Sequence, residues 1–160
     1  MLEYYNDRTF LDVRNKTIIA MFFDTGIRLS ELINLKEDDI KEDYLLIKCG
    51  KGSKDRVVPK SPFLAKHIFK YQVIREERFV DRNLIDKNFF LSKNCRTLSR
   101  EMVERIVKDA GEFANVSKDI RISPHTCRHT FAHMQLMNGL DIYSLSRLMG
   151  HENVSITQIY

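Results

Sequence analysis

The stretch from His125 to Tyr160, HTCRHTFAHMQLMNGLDIYSLSRLMGHENVSITQIY, limits the possible fold and chemistry of this chain more than any other. Ser123-Pro124 reads as a helix start, because a serine oxygen caps free backbone N–H groups and proline tolerates the first helical position. His125 and Arg128 then fall in the first turn, three residues apart on one face, where both can reach a single anion beside the positive end of the helix. Cys127, Phe131 and Met134 follow at core spacing, and Asn138-Gly139 ends the helix. Asp141 caps a second helix with Ile142, Leu145, Leu148 and Met149 inward, which Gly150 stops. His151 comes directly after that glycine, and Tyr160 follows a short amphipathic piece.

Two other readings of this stretch exist. His125, His129 and His133 recur every fourth residue, and a histidine pair at that spacing can hold zinc. The residues between the first two are Thr-Cys-Arg, so the glutamate of a His-Glu-x-x-His site is missing. The third histidine is also rotated by roughly 80° from the first at 100° per residue. No metal and no cofactor is therefore expected. The alternative function is a non-catalytic helix-turn-helix DNA-binding module, since LSRLMGHENVSITQIY has the helix, glycine turn, helix pattern. Its would-be recognition helix, from Ser155 to Tyr160, carries no Lys or Arg.

The preceding chain supplies further candidates. Phe10 to Thr25 reads as a helix, apolar nearly all round from Ile18 to Phe23 and so buried, and Gly26 ends it. A helix with Leu29, Leu32, Ile33 and Leu35 inward follows at once. Arg28 lies in its first turn beyond the glycine corner, and Glu31 is placed to fix the direction of the guanidinium. The acidic run Glu37 to Asp43 reads as a solvated turn. Tyr44 to Cys49 and Arg56 to Pro59 read as two strands joined by the hairpin Gly50-Lys51-Gly52-Ser53-Lys54-Asp55. Lys51, between two glycines, can bring an ammonium close to a ligand; the spacing is not that of a phosphate-binding P-loop. Pro62 opens a helix with Leu64, Ala65, Ile68, Phe69 and Val73 inward. Phe89 to Ser92 reads as a short buried strand, the third of a small sheet. Ser99 caps a helix whose set Met102, Val103, Ile106, Val107, Ala110, Phe113 and Ala114 keeps the helical period.

At 160 residues with 43% apolar content the chain supports one domain with a real core. No apolar run reaches the ~18 residues that cross a bilayer, and MLEYYNDRTF has no signal-peptide core, so no membrane partner and a cytoplasmic location are expected. Cys49, Cys95 and Cys127 are odd in number and lack metal spacing, which suits free thiols in a reducing compartment. The net charge of +4 and pI near 9.0 suit a polyanionic partner. Lys54, Arg56, Arg96, Arg100, Lys118 and Arg121 are the candidate phosphate contacts.

Taken singly, each of these residues has an ordinary structural reading; their joint order does not. Thr-Gly-Ile-Arg-Leu-Ser-Glu-Leu (25 to 32), Gly-Lys-Gly-Ser-Lys-Asp-Arg-Val-Val-Pro (50 to 59), His-Thr-Cys-Arg-His-Thr-Phe-Ala (125 to 132) and Leu-Met-Gly-His through Thr-Gln-Ile-Tyr (148 to 160) resemble the tyrosine recombinase, or phage integrase, family. The resemblance covers nearly the whole chain. The spacing from Arg128 through His151 to Tyr160 is its most specific part.

That resemblance implies a predominantly helical α+β fold, the DNA breaking-rejoining fold, with an antiparallel sheet of about three strands. It implies metal-independent cleavage and rejoining of double-stranded DNA, as in phage or transposon integration and excision or in Xer-like resolution. Tyr160 would attack the scissile phosphate and leave a 3′-phosphotyrosine. Arg28 and Arg128 would hold the non-bridging oxygens, and His151 would hydrogen-bond the phosphate. His125 would be the base, Lys51 would protonate the leaving 5′-oxygen, and Glu31 would support Arg28. Residues 1–160 would then be a catalytic-domain fragment, lacking an N-terminal core-binding domain and the segment after the nucleophile. The fragment would be monomeric, the full-length protein a tetramer on DNA, and Tyr160 loosely held, as chain termini tend to be.

Overall fold

The apolar run in the first long helix sets the architecture. The computed structural model describes residues 1–48, 55–80 and 87–150. Helix α1, Phe10–Thr25, is capped by Thr9, whose hydroxyl accepts from the Asp12 backbone N–H. Ile18, Ile19, Met21 and Phe22 are fully buried on all sides of α1, as an all-round apolar helix requires. Three elements achieve this, for α1 packs against α3 (Pro62–Phe79), against α5 (Pro124–Met137) and against a short 3₁₀ turn at Leu2–Tyr4. Helix α2, Leu29–Asn34, packs on α4, Arg100–Phe113, and α6, Ile142–Met149, lies against α5 and strand β2.

The sheet has two strands among the described residues. Strand β1, Tyr44–Ile47, and β2, Arg56–Pro59, run antiparallel in the register Leu45↔Val58 and Ile47↔Arg56. Leu45, Ile47, Arg56 and Val58 share the inward face. The expected third strand at Phe89 to Ser92 is absent. Phe89, Phe90 and Leu91 are fully buried as expected, but side chains and scattered backbone groups satisfy their polar atoms, where a strand would use a ladder. The Phe89 N–H donates to the Leu35 carbonyl (2.7 Å). The Tyr71 hydroxyl donates to the Phe89 carbonyl and accepts from the Leu91 N–H, each at 3.2 Å. Arg14 donates to the Leu91 carbonyl (3.0 Å). Only isolated bridges, Lys36↔Asn88 and Leu91↔Thr97, flank the segment.

Other expectations shift for the same kind of reason. In α3 the covered stripe is Leu64, His67, Ile68, Tyr71, Arg75 and Phe79; Phe69 and Val73, expected inside, are exposed. Met134, Met102 and Phe113 are exposed as well. The acidic turn is only partly solvated: Asp39 is buried and paired with Lys48, and Glu37 pairs with the buried Arg75 at 2.7 Å. Cys127 is a buried free thiol, and burial pushes it up to about 12. Among the described residues no helix is long and apolar enough to cross a membrane.

Gly26 is the corner on which α1, α5 and α6 meet. It ends α1 in the left-handed conformation (φ 59°), with its N–H on the Phe22 carbonyl. A Cβ there would lie 2.4 Å from the Phe131 ring and 3.0 Å from the Met149 sulfur. Phe131 and Met149, with Ala132 and Leu145, form the small core that joins α5 to α6. Gly26→Ala therefore adds left-handed backbone strain, about 1–2 kcal/mol, to an overpacking cost of about 1–3 kcal/mol. Denaturant unfolding should show a loss of about 2–5 kcal/mol; a variant as stable as the parent would contradict this corner.

Candidate active site

Helix α6 ends with carbonyl groups that no further helical turn can satisfy. Gly150 caps it in the left-handed region (φ 66°), and three successive carbonyls at this end accept from three different arginines. Arg56 Nε donates to Leu148 O at 3.0 Å. Arg128 Nη2 donates to Met149 O at 2.6 Å, and Arg28 Nη2 donates to Gly150 O at 2.9 Å. Cations at a helix C-terminus also complement its partial negative charge.

Each arginine arrives from a separately positioned element. Arg28 immediately precedes α2, as its N-cap, two residues past the Gly26 corner. Arg128 lies at the start of the second turn of α5, which Ser123 caps by accepting from the Thr126 N–H. It is 4% exposed and also donates to the Gly26 carbonyl, so one guanidinium ties both glycine corners. Arg56 opens β2 on its inward face.

Glu31 binds two of the three. Its Oε1 accepts from Arg28 Nη1 (2.9 Å) and Arg56 Nη1 (2.7 Å). Its Oε2 accepts from the Arg28 backbone N–H (2.8 Å) and Arg56 Nη2 (2.8 Å). Burial would raise this carboxyl, but the hydrogen bonds and charge of Arg56, with the Arg28 N–H and guanidinium, outweigh it and hold the group at about 2. Three guanidiniums against one carboxylate leave the site net positive. Arg28 remains partly open, its side chain 38% exposed.

His125 is exposed on α5, one turn before the point where Arg128 turns inward. Its Nε2 lies 2.7 Å from His129 Nε2, so one ring donates and the other accepts. His129 is lowered, first by burial and then by the neighbouring His125 and Arg128. The structure thus brings Arg28, Glu31 and Arg128 to one place, with His125 beside them on α5. Lys51, Lys54, His151 and Tyr160 lie outside the described residues, as does the expectation that Tyr160 is loosely held.

The expected phosphate contacts divide. Arg96, Arg100, Lys118 and Arg121 are all exposed. Lys118 and Arg121 border an open groove of about 1090 Å³ beside α4, whose walls also carry Glu101, Glu104 and Glu112, so that face is of mixed charge. Arg56 does not belong with them: it is 8% exposed, and its donors serve Glu31 and Leu148. The strand period carried the signal for this, since Arg56 and Val58 must face the same way. The contacts of Arg56 with Glu31, and the packing of Gly150 against it, had no sequence signal.

The geometry can be set beside known proteins. The sequence pattern of the phage integrase family matches residues 1–160. The chain belongs to that family. It is 36% identical over 164 residues to tyrosine recombinase XerC of Thermodesulfovibrio yellowstonii, covering 100% of this chain and 54% of that protein. It is 36% identical to tyrosine recombinase XerA of Thermococcus onnurineus, covering 92% and 50%. The solved XerA recombinase structure superposes with a TM-score of 0.84 at 33% identity, over 94% of this chain and 53% of that one. XerH bound to its difH substrate, before cleavage, gives a TM-score of 0.84 at 22% identity over 99% and 45%, a likeness of fold alone. The chain thus spans about half the length of the curated relatives it matches. Its fold is that of the tyrosine recombinase catalytic domain, mostly helical with a two-stranded antiparallel sheet.

The Glu31 carboxyl makes the site's stability depend on acid. Its folded pKa of about 2 lies below the ordinary 4.5, so its contribution is fully present above pH 4.5 and is lost as pH falls towards 2. That contribution is at most about 3 kcal/mol at about 1.36 kcal/mol per pKa unit. The difference in unfolding free energy between the native chain and Glu31→Gln should shrink between pH 6 and pH 3; a constant difference would contradict the arrangement.

Proposed function

We propose that this family member is the catalytic domain of a site-specific DNA recombinase, cleaving and rejoining double-stranded DNA through a 3′-phosphotyrosine. The observation that carries the reading is that Arg28 and Arg128, a hundred positions apart in sequence, meet on the adjacent carbonyls of Met149 and Gly150. That places two forked, permanently charged donors at one spot, as the two non-bridging oxygens of a phosphodiester require. The XerH recombinase structures, a pre-cleavage and a post-cleavage complex with difH substrate, share this fold and support DNA as the partner.

In the proposed reaction the Tyr160 oxygen attacks phosphorus, the P–O5′ bond breaks, and the 5′-hydroxyl departs. A phenol with a pKa of about 10 must lose its proton as it attacks; His125 takes it. The leaving 5′-oxygen needs a proton, which Lys51 gives, a kind of help that contributes ~10²–10⁴-fold. Arg28 and Arg128 stabilise the charge that grows on the pentacoordinate phosphorus, and His151 adds a hydrogen bond there. Glu31 aims Arg28. The phosphotyrosine keeps the energy of the broken bond, so the reverse attack by a 5′-hydroxyl reseals the strand without ATP. In the full-length protein the exchange takes place in a tetramer on two DNA sites.

Arg96, Arg100, Lys118 and Arg121 serve as phosphate contacts away from the scissile position. Such contacts make affinity fall with salt, by a slope of about −0.9 per phosphate neutralised.

A nicked duplex that loses its 5′ fragment on cleavage traps the adduct. Native protein should form a covalent, protease-sensitive DNA complex, and Tyr160→Phe should form none while binding DNA equally. DNA binding without any adduct in the full-length protein would overturn strand transfer in favour of a binding module.

A further inference from the structure

Arg56 is the member of the arginine cluster to which strand transfer assigns no task. It sits opposite Ile47 in the hairpin, on the face of β2 that also buries Val58. Its side chain is 7% exposed. A guanidinium so deep is costly unless its donors are met by well-placed partners. They are: Nε reaches Leu148 O, while Nη1 and Nη2 close a two-pronged pair with the Glu31 carboxylate at 2.7 and 2.8 Å. An ammonium cannot reproduce this, since it lacks the planar fork. The chain at Gly150 is fitted to the same group, because a Cβ there would lie 2.9 Å from Arg56 Nη1 and 3.0 Å from its Cδ.

The carboxylate that Arg56 holds is the one that aims Arg28. Both Glu31 oxygens are shared, Oε1 with the Arg28 guanidinium and Oε2 with its backbone N–H. Fixing Glu31 from the sheet side therefore fixes Arg28 from behind, and the Leu148 contact sets the end of α6, whose Gly150 carbonyl receives the other Arg28 nitrogen.

We propose that Arg56 is a positioning residue for strand transfer, acting through Glu31 on Arg28 without touching DNA. This rests on the strand-transfer reading above. Without the Arg56 fork, the buried Glu31 carboxylate would lose its two-pronged tie to the sheet, and the Arg28 guanidinium would meet the phosphate less well aimed. A misplacement of about 1 Å at a reacting centre can cost on the order of 10²-fold in rate.

The test compares the native chain with Arg56→Lys, Arg28→Lys and the double variant. Melting is followed first, then duplex affinity at two salt concentrations in a Tyr160→Phe background, then the single-turnover rate of adduct formation at saturating DNA. Arg56→Lys should bind DNA within about twofold of native with an unchanged salt slope, because it surrenders no phosphate contact. Its adduct should form on the order of 10²-fold more slowly, and the double variant should be no slower than Arg28→Lys alone. A weaker affinity in the charge-removing variant Arg56→Gln, with a salt slope smaller by about one, would make Arg56 a phosphate contact and overturn the proposal. So would an unchanged rate, or losses that multiply in the double variant as a merely structural defect would give. Should Arg56→Lys melt below the assay temperature, Glu31→Gln cuts the same tie from the other side and takes its place in the cycle. A native chain that forms no adduct overturns strand transfer and this proposal together; a normal native adduct with a failed cycle overturns this proposal alone.

Discussion

The C-terminal end of α6 is the constraint on which the site depends. A helix that stops inside a protein leaves carbonyls to be satisfied, and here the donors are the guanidiniums of Arg56, Arg128 and Arg28 on Leu148, Met149 and Gly150 in turn. Charge-assisted hydrogen bonds of this kind are about twice as strong as neutral ones. Each arginine belongs to a different part of the chain, so the one helix end gathers β2, α5 and the start of α2 around itself. Three buried or half-buried cations would repel one another were it not for Glu31, whose carboxylate lies between two of them. Removing one partner of such a buried pair leaves an uncompensated charge, a loss of about 3–5 kcal/mol. Glu31 is therefore as much a part of this cluster as the arginines themselves.

Two glycines make the gathering possible. Gly26 turns the chain from α1 to α2 beneath the Phe131 ring, and its carbonyl accepts from Arg128. Gly150 turns the chain out of α6 against the Arg56 side chain, and its carbonyl accepts from Arg28. Both adopt positive φ, and at both a Cβ would intrude on a side chain that the site needs. Behind them the fully buried residues of α1 pack against α5. The arginines are thus aimed by backbone that is itself held by the core.

What the sequence disclosed, and what it did not, follows from the range of the interactions. Helices announced themselves through local chemistry: Ser99, Ser123 and Asp141 each cap the helix that follows, as their sequence positions indicate. The Arg28–Glu31 pair was legible because three residues on a helix are neighbours. The expected strand Phe89 to Ser92 is buried but not a strand, because its backbone partners, Tyr71 and Leu35, lie far off in sequence. Charge marks Arg56 as a candidate DNA contact, although strand alternation already puts it beside Val58. Its partners lie 25 and 92 positions away, and no local pattern records them. His129, weighed only as a metal ligand, proves to be the ring against which His125 rests.

In the proposed reaction Arg28 and Arg128, assembled on the end of α6, serve one phosphate. The most direct measurement is a structure of the Tyr160→Phe protein on a duplex carrying its cleavage site. Both guanidiniums should lie about 2.7–2.9 Å from non-bridging oxygens of the same phosphate, with Glu31 still on Arg28. Guanidiniums found on different phosphates, or Arg128 turned away from the DNA altogether, would contradict it.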